Sequence, residues 1–105
     1  MAWLYLFSAG ILEVVWAFTM KQSDGFSRPG PTAITIVTMI GSFALLSLAM
    51  RSLPLGTAYT IWTGIGAVGA FVIGVTVLGE ALTPMRIAAA VLIVSGLVMM
   101  KLSAH

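Results

Sequence analysis

Long apolar runs separated by short polar segments set the character of this chain. A helix needs roughly 20 mostly apolar residues to cross the hydrocarbon core of a bilayer, and four runs approach that length: about residues 2–20, 32–50, 57–78 and 84–101. The second and third carry no charge, and the first is charged only at Glu13. The fourth is short, with Arg86 near its start and Lys101 at its end. Snorkelling of long basic side chains, local thinning or oligomerisation can match such a span to a bilayer. The connections are dense in turn formers: Gln22-Ser23-Asp24-Gly25, Arg28-Pro29-Gly30-Pro31, the stretch from Arg51 to Gly56 with Pro54, and Gly79 to Pro84. Pro84 suits a first helical turn. The pattern predicts an all-α membrane protein, a single four-helix domain over residues 1–105, with no loop long enough to fold alone.

Composition sharpens this reading. Of 105 residues, 60% are hydrophobic and 8% charged, against about 25% charged in an average soluble domain, and the mean hydropathy is +1.12. A soluble enzyme is excluded on that ground. The chain has no cysteine, so disulfides and thiolate metal sites are excluded as well. The five basic residues, Lys21, Arg28, Arg51, Arg86 and Lys101, are scattered. They form no stripe that would follow a phosphate backbone, so no nucleic-acid partner is expected. His105, as the terminal residue, is not expected to hold a metal, and no cofactor is expected. The N-terminus lacks the basic n-region of a signal peptide and its apolar run is interrupted by Glu13, so cleavage is not expected.

Charge also bears on orientation. Alternate loops place Arg51 and Lys101 on one side and Lys21, Arg28 and Arg86 on the other. The positive-inside rule needs a bias, and two against three supplies almost none. Weak orientation preference permits both orientations to insert, and hence an antiparallel homodimer of opposite topologies. Four short helices enclose little space, whereas two copies would supply eight.

Glu13 is the residue that demands an explanation. A carboxylate near mid-bilayer costs roughly 2.5 kcal/mol or more on insertion scales, so an intramembrane acid is a functional-site hypothesis by default. Gly10, Trp16 and Ala17 share its helical face. Gly10 permits close approach of another helix. Trp16 either packs between helices or walls a cavity where its ring can meet a cation. Trp3 and Tyr5 lie where interfacial anchors belong. In the third span Tyr59, Trp62, Thr63 and Gly66 form one face, and the Tyr hydroxyl and indole N–H are donors able to hold an ionised carboxylate. Ser42, in the middle of the second span, is either a further donor or an interhelical packing residue. Gly64, Gly66, Gly69 and Gly74 crowd the third span. They either let helices pack closely or, at Gly64 and Gly66, allow a kink that switches access between the two sides.

These residues carry a family resemblance over essentially the whole chain. The segments Gly10-Ile-Leu-Glu13-Val-Val-Trp16-Ala and Leu53-Pro-Leu-Gly-Thr-Ala-Tyr59-Thr-Ile-Trp62-Thr-Gly-Ile-Gly66, with four spans in about a hundred residues, resemble the small multidrug resistance transporters. Trp16, the stretch Gly66-Ala-Val-Gly69-Ala and Lys101 look like the guanidinium-exporting subtype; the drug-exporting subtype typically has glycine in place of Trp16. The resemblance implies an antiparallel dual-topology homodimer in the bacterial inner membrane that exports guanidinium and small substituted guanidinium ions as protons enter. It implies that Glu13 binds both proton and substrate, that Ser42, Tyr59 and Trp62 line or order the site, and that Trp16 borders it. Thr60 departs from the subtype, where alanine is more usual, and marks a possible modifier of cargo range.

The chemistry is that of one acid with two uses. A guanidinium ion is planar and offers paired N–H donors to a carboxylate, and protonation removes the charge that holds it. If access changes only when Glu13 is occupied, proton entry drives cation exit. Other readings stand beside this one. Quaternary ammonium drugs are the alternative cargo, which Trp16 disfavours as bulky. A passive channel would show no proton-driven accumulation. A non-transporting assembly subunit would tolerate Glu13→Gln.

Overall fold

A computed structural model describes residues 1–103; His105 lies outside the described residues. The chain forms four α-helices, α1 (Ala2–Gln22), α2 (Pro29–Ala49), α3 (Leu55–Thr76) and α4 (Pro84–Ser103), each long and apolar enough to cross a membrane. The protein is therefore a multi-pass membrane protein. Where the helix limits differ from the apolar runs, the turn residues explain the shift. α2 starts at Pro29 rather than near residue 32, because a proline in the first turn lacks only an N–H that has no helical partner there. α3 likewise starts directly after Pro54, whose carbonyl accepts the Ala58 N–H at 3.0 Å. It stops at Thr76 rather than near residue 78: Gly79 turns left-handed (φ 72°), and the Glu80 N–H returns to the Gly74 carbonyl at 2.9 Å. After α1, the Ser23 hydroxyl donates to the Met20 carbonyl (2.6 Å) and accepts from the Phe26 N–H (3.1 Å), closing the first turn.

Contacts between helices set the topology. Ala9 pairs with Ser42 and Thr19 with Thr35, so α1 and α2 run antiparallel. Gly10 faces Ile65, Glu13 faces Gly66 and Val14 faces Gly69, so α1 and α3 run parallel. The α4 backbone approaches that of α3 and no other helix. The helices therefore lie in the order α2, α1, α3, α4, in a layer measuring 42 × 35 × 16 Å. This is a flat arrangement rather than a closed bundle. A small core of Leu6, Ala9, Leu46, Ala49, Ala58, Ile61 and Trp62 holds the first three helices together. Lipid tails are as apolar as leucine, so close packing of small residues and interhelical hydrogen bonds carry the association. No residue of α4 is buried. Its C-terminal Lys101 reaches across to α1, with Nζ 4.8 Å from the centre of the Trp3 ring.

Candidate functional site

Glu13 lies midway along α1, partly buried, on the seam with α3. Its carboxyl occupies the space where a side chain at Gly66 would stand. Gly10, one turn earlier, makes the same kind of room for Ile65 and is itself buried. α3 runs as an uninterrupted helix through this region. Gly64 faces Leu97 of α4, and Gly66 faces Glu13. Both glycines therefore stand at close packing contacts in a helix without a break.

Two of the donors expected around the carboxyl, Trp62 and Ser42, are engaged elsewhere. Trp62 Nε1 donates to Ser42 Oγ at 3.0 Å, and Ser42 Oγ donates to the Ala9 carbonyl at 2.7 Å. Ala9 is four residues before Glu13, so its carbonyl is also the one that takes the Glu13 N–H in a regular α-helix. Trp62 and Ser42 thus bond to one another and to the turn of α1 that precedes the carboxylate, rather than to the carboxylate itself. They fix the helical turn that carries it. A single hydroxyl can donate once and accept as well, and the Ser42 hydroxyl does both at full burial. Glu13 Oε1 and Trp16 Nε1 are buried without a hydrogen-bond partner among the described residues. An acceptor and a donor left open one turn apart are unusual, since buried polar groups are nearly always paired.

A row of aromatic rings starts at Trp16, one helical turn from the acid. Trp16 meets Phe43 edge-on (centroids 6.3 Å, 62°), Phe43 meets Trp62 (5.6 Å, 53°), and Trp62 meets Tyr59 (5.6 Å, 49°). Phe43 and Tyr59 are largely exposed in the single chain. Such a row presents π-faces where a cation is attracted to a ring quadrupole. Phe43 escaped the sequence reading, because it lies about 100° around the helix from Ser42 and breaks the face pattern. The signal was that it is the one aromatic residue of α2.

Thr63 and Thr60 are placed differently from the other expected residues. With Tyr59 and Gly64 they line a groove of about 470 Å³ between α3 and α4, whose walls also include Ile93, Gly96 and Met100 and which Glu13 does not line. Tyr59 is common to the groove and the aromatic row. At one end of the layer, Arg86 approaches Glu80 (3.7 Å) and donates to the Ala81 carbonyl (2.7 Å). This pair is half exposed, and such pairs contribute little. Among the described residues no three His, Asp or Glu side chains come together as a metal site would require.

The family profile described as Small Multidrug Resistance protein matches residues 1–94. The chain belongs to the small multidrug resistance family. Among its relatives in that family, the "Guanidinium exporter" of Escherichia coli K12 is 56% identical over 105 residues, all of both chains. The "Guanidinium exporter" of Salmonella typhimurium LT2 is also 56% identical, and that of Citrobacter freundii 54%, again over the full length of both chains. Small multidrug resistance membership agrees with four short spans and a lone intramembrane acid. Of the residues singled out by sequence, Ser42 and Trp62 join at the Ala9 carbonyl on α1, whereas Thr60 and Thr63 open toward α4.

Proposed function

We propose that this protein exports guanidinium and small substituted guanidinium ions in exchange for protons, the two competing for the Glu13 carboxyl. The observation that carries this reading is a mid-membrane carboxyl with an unpaired oxygen, one helical turn from Trp16, where a row of aromatic rings starts. A carboxylate already held by donors of its own chain would have less to offer a cation. Guanidinium supplies paired N–H groups for the carboxylate and a flat face for the rings. The relatives named as guanidinium exporters support the choice of cargo.

The functional unit in this reading is an antiparallel homodimer of oppositely inserted copies in the bacterial inner membrane. The nearly balanced basic residues favour it. The flat layer favours it too, because one chain leaves Phe43, Tyr59 and most of α4 exposed, and a second copy would wall the pathway. With one carboxyl serving both ions, occupancy by either permits the change of access, and the two opposite-facing states of the dimer are equivalent. Gly64 and Gly66 act in this cycle where α3 must slide against α4 and α1.

The test is a current measurement on proteoliposomes at a solid-supported membrane. Guanidinium addition is expected to give a current in wild type and none in Glu13→Gln, which keeps the shape of the side chain and loses its charge. A silent wild type, or an active Glu13→Gln, overturns the assignment. A response to tetrapropylammonium without one to guanidinium moves the cargo to quaternary ammonium ions.

A further inference from the structure

Three glycines sit where α1 and α3 run side by side. Gly10 gives its side-chain space to Ile65 and Gly69 gives its space to Val14, both hydrocarbon neighbours. Of these three, Gly66 gives its space to a carboxyl, as Gly74 near the end of α3 does to that of Glu80: the atoms nearest a methyl group built at Gly66 are Glu13 Cδ, Oε1 and Cγ. Oε1 is also the carboxyl oxygen that is buried without a partner. Gly66 is itself buried, in a stretch of α3 that stays helical on both sides. A left-handed backbone does not explain glycine here, since the positive-φ glycines are Gly25 and Gly79. Gly64 on α3 makes a useful contrast, because a methyl there would meet Leu97 of α4 rather than the acid.

We propose that Gly66 is the seat of the Glu13 carboxyl and a positioning residue for cation binding. The seat presses Oε1 against the α3 backbone and limits the rotation of the carboxyl. Without that restraint a glutamate on a half-open helix face rotates freely, and a bidentate cation meets its acceptors at no fixed angle. Any side chain at residue 66 claims the same volume and pushes the carboxyl out of register. Displacements of about 1 Å at a binding group cost up to about a hundredfold in function. This inference rests on the proposed role of Glu13 in holding the cation.

The experiment is a double-mutant cycle between Gly66→Ala and Glu13→Asp, read as guanidinium KM and maximal current in proteoliposomes. Aspartate is one methylene shorter and withdraws the carboxyl by about 1.5 Å, which frees the volume that alanine takes. Gly66→Ala is expected to raise KM about tenfold or more, the scale of an overpacking misfit. Its maximal current should fall less. Adding Glu13→Asp to Gly66→Ala should lower KM again, although Glu13→Asp alone raises it. The same cycle with Gly64→Ala should show no such rescue. Effects that simply multiply, or an equal rescue at Gly64, overturn the seat. If Gly66→Ala does not yield folded protein, the double variant is expected to recover it, and failure to do so counts against the proposal. A wild type silent to guanidinium sinks the proposed cargo instead. The cycle is then read on the thermal unfolding of detergent-solubilised protein, where the same steric coupling is expected and its absence is decisive.

Discussion

Replacing Ser42 by alanine removes one oxygen and breaks two hydrogen bonds, from Trp62 Nε1 and to the Ala9 carbonyl. The carbonyl retains its helical partner. The indole N–H does not, and Trp62 is only 6% exposed. An unsatisfied buried donor costs about 1–3 kcal/mol in proteins generally. Inside membranes, measured side-chain hydrogen bonds average about 0.6 and reach about 1.7 kcal/mol, because the unfolded chain also finds partners there. With two bonds on one fully buried oxygen, the upper part of that range applies. Ser42→Ala is therefore expected to destabilise the protein by about 1–2 kcal/mol. Trp62→Phe removes the stranded donor, so the double variant should be less destabilised than the sum of the two, by about 1 kcal/mol. The assay is unfolding in mixed micelles with increasing SDS, followed by circular dichroism so that loss of an indole does not affect the signal. A Ser42→Ala change within about 0.3 kcal/mol of wild type, or strict additivity with Trp62→Phe, would refute the relay.

Other outcomes follow from the same geometry. If protons and guanidinium compete for Glu13, lowering pH on the cation side raises the apparent KM for guanidinium without changing the extrapolated maximal current; a pH-independent KM contradicts competition. Trp16→Gly removes the indole that faces Phe43, and is expected to admit tetrapropylammonium currents that wild type lacks while weakening the guanidinium response. Thr60→Ala alters a groove that Glu13 does not line, so guanidinium KM should stay within about twofold of wild type; a larger change would bring Thr60 into the site. Thr19→Val breaks the 2.6 Å hydroxyl contact with Thr35 that joins α1 to α2, and should cost about 0.6 kcal/mol in the same SDS titration with KM unchanged.

Much of this was legible in the sequence, for reasons that differ by residue. The four spans follow from the bilayer thickness, which needs no tertiary information. Their ends were less legible, because prolines at 29 and 54 read as turn residues and also serve as helix starts. Glu13 stands out by cost alone. Its surroundings depend on which helices neighbour α1, and the order α2, α1, α3, α4 cannot be read from helical faces. Ser42 and Trp62 therefore look like direct partners of the acid, when the distances instead send their bonds to the carbonyl of Ala9. Thr63 shares a helical face with Tyr59 and Trp62, yet it opens toward α4, because a face about 100° wide spans two different neighbours. Phe43 was hidden by the converse effect: a large ring reaches around the helix to touch residues that a face pattern assigns elsewhere.

The position of the hydrogen bonds carries a mechanistic consequence. Two donors aimed at a lone mid-membrane carboxylate would satisfy it within the chain, and each incoming cation would then have to break protein bonds before binding. Here the indole of Trp62 and the hydroxyl of Ser42 satisfy one another and a backbone carbonyl, which never titrates. In the proposed exchange these bonds therefore need not break whether Glu13 carries a proton, a cation or neither, and the turn that bears the acid can keep one geometry. Among the described residues, the buried side-chain polar atoms without a partner are Glu13 Oε1 and Trp16 Nε1. A rigid relay and an unsatisfied carboxyl are thus complementary in the proposed exchange: the first fixes where the second stands, and the second has an oxygen free for either ion.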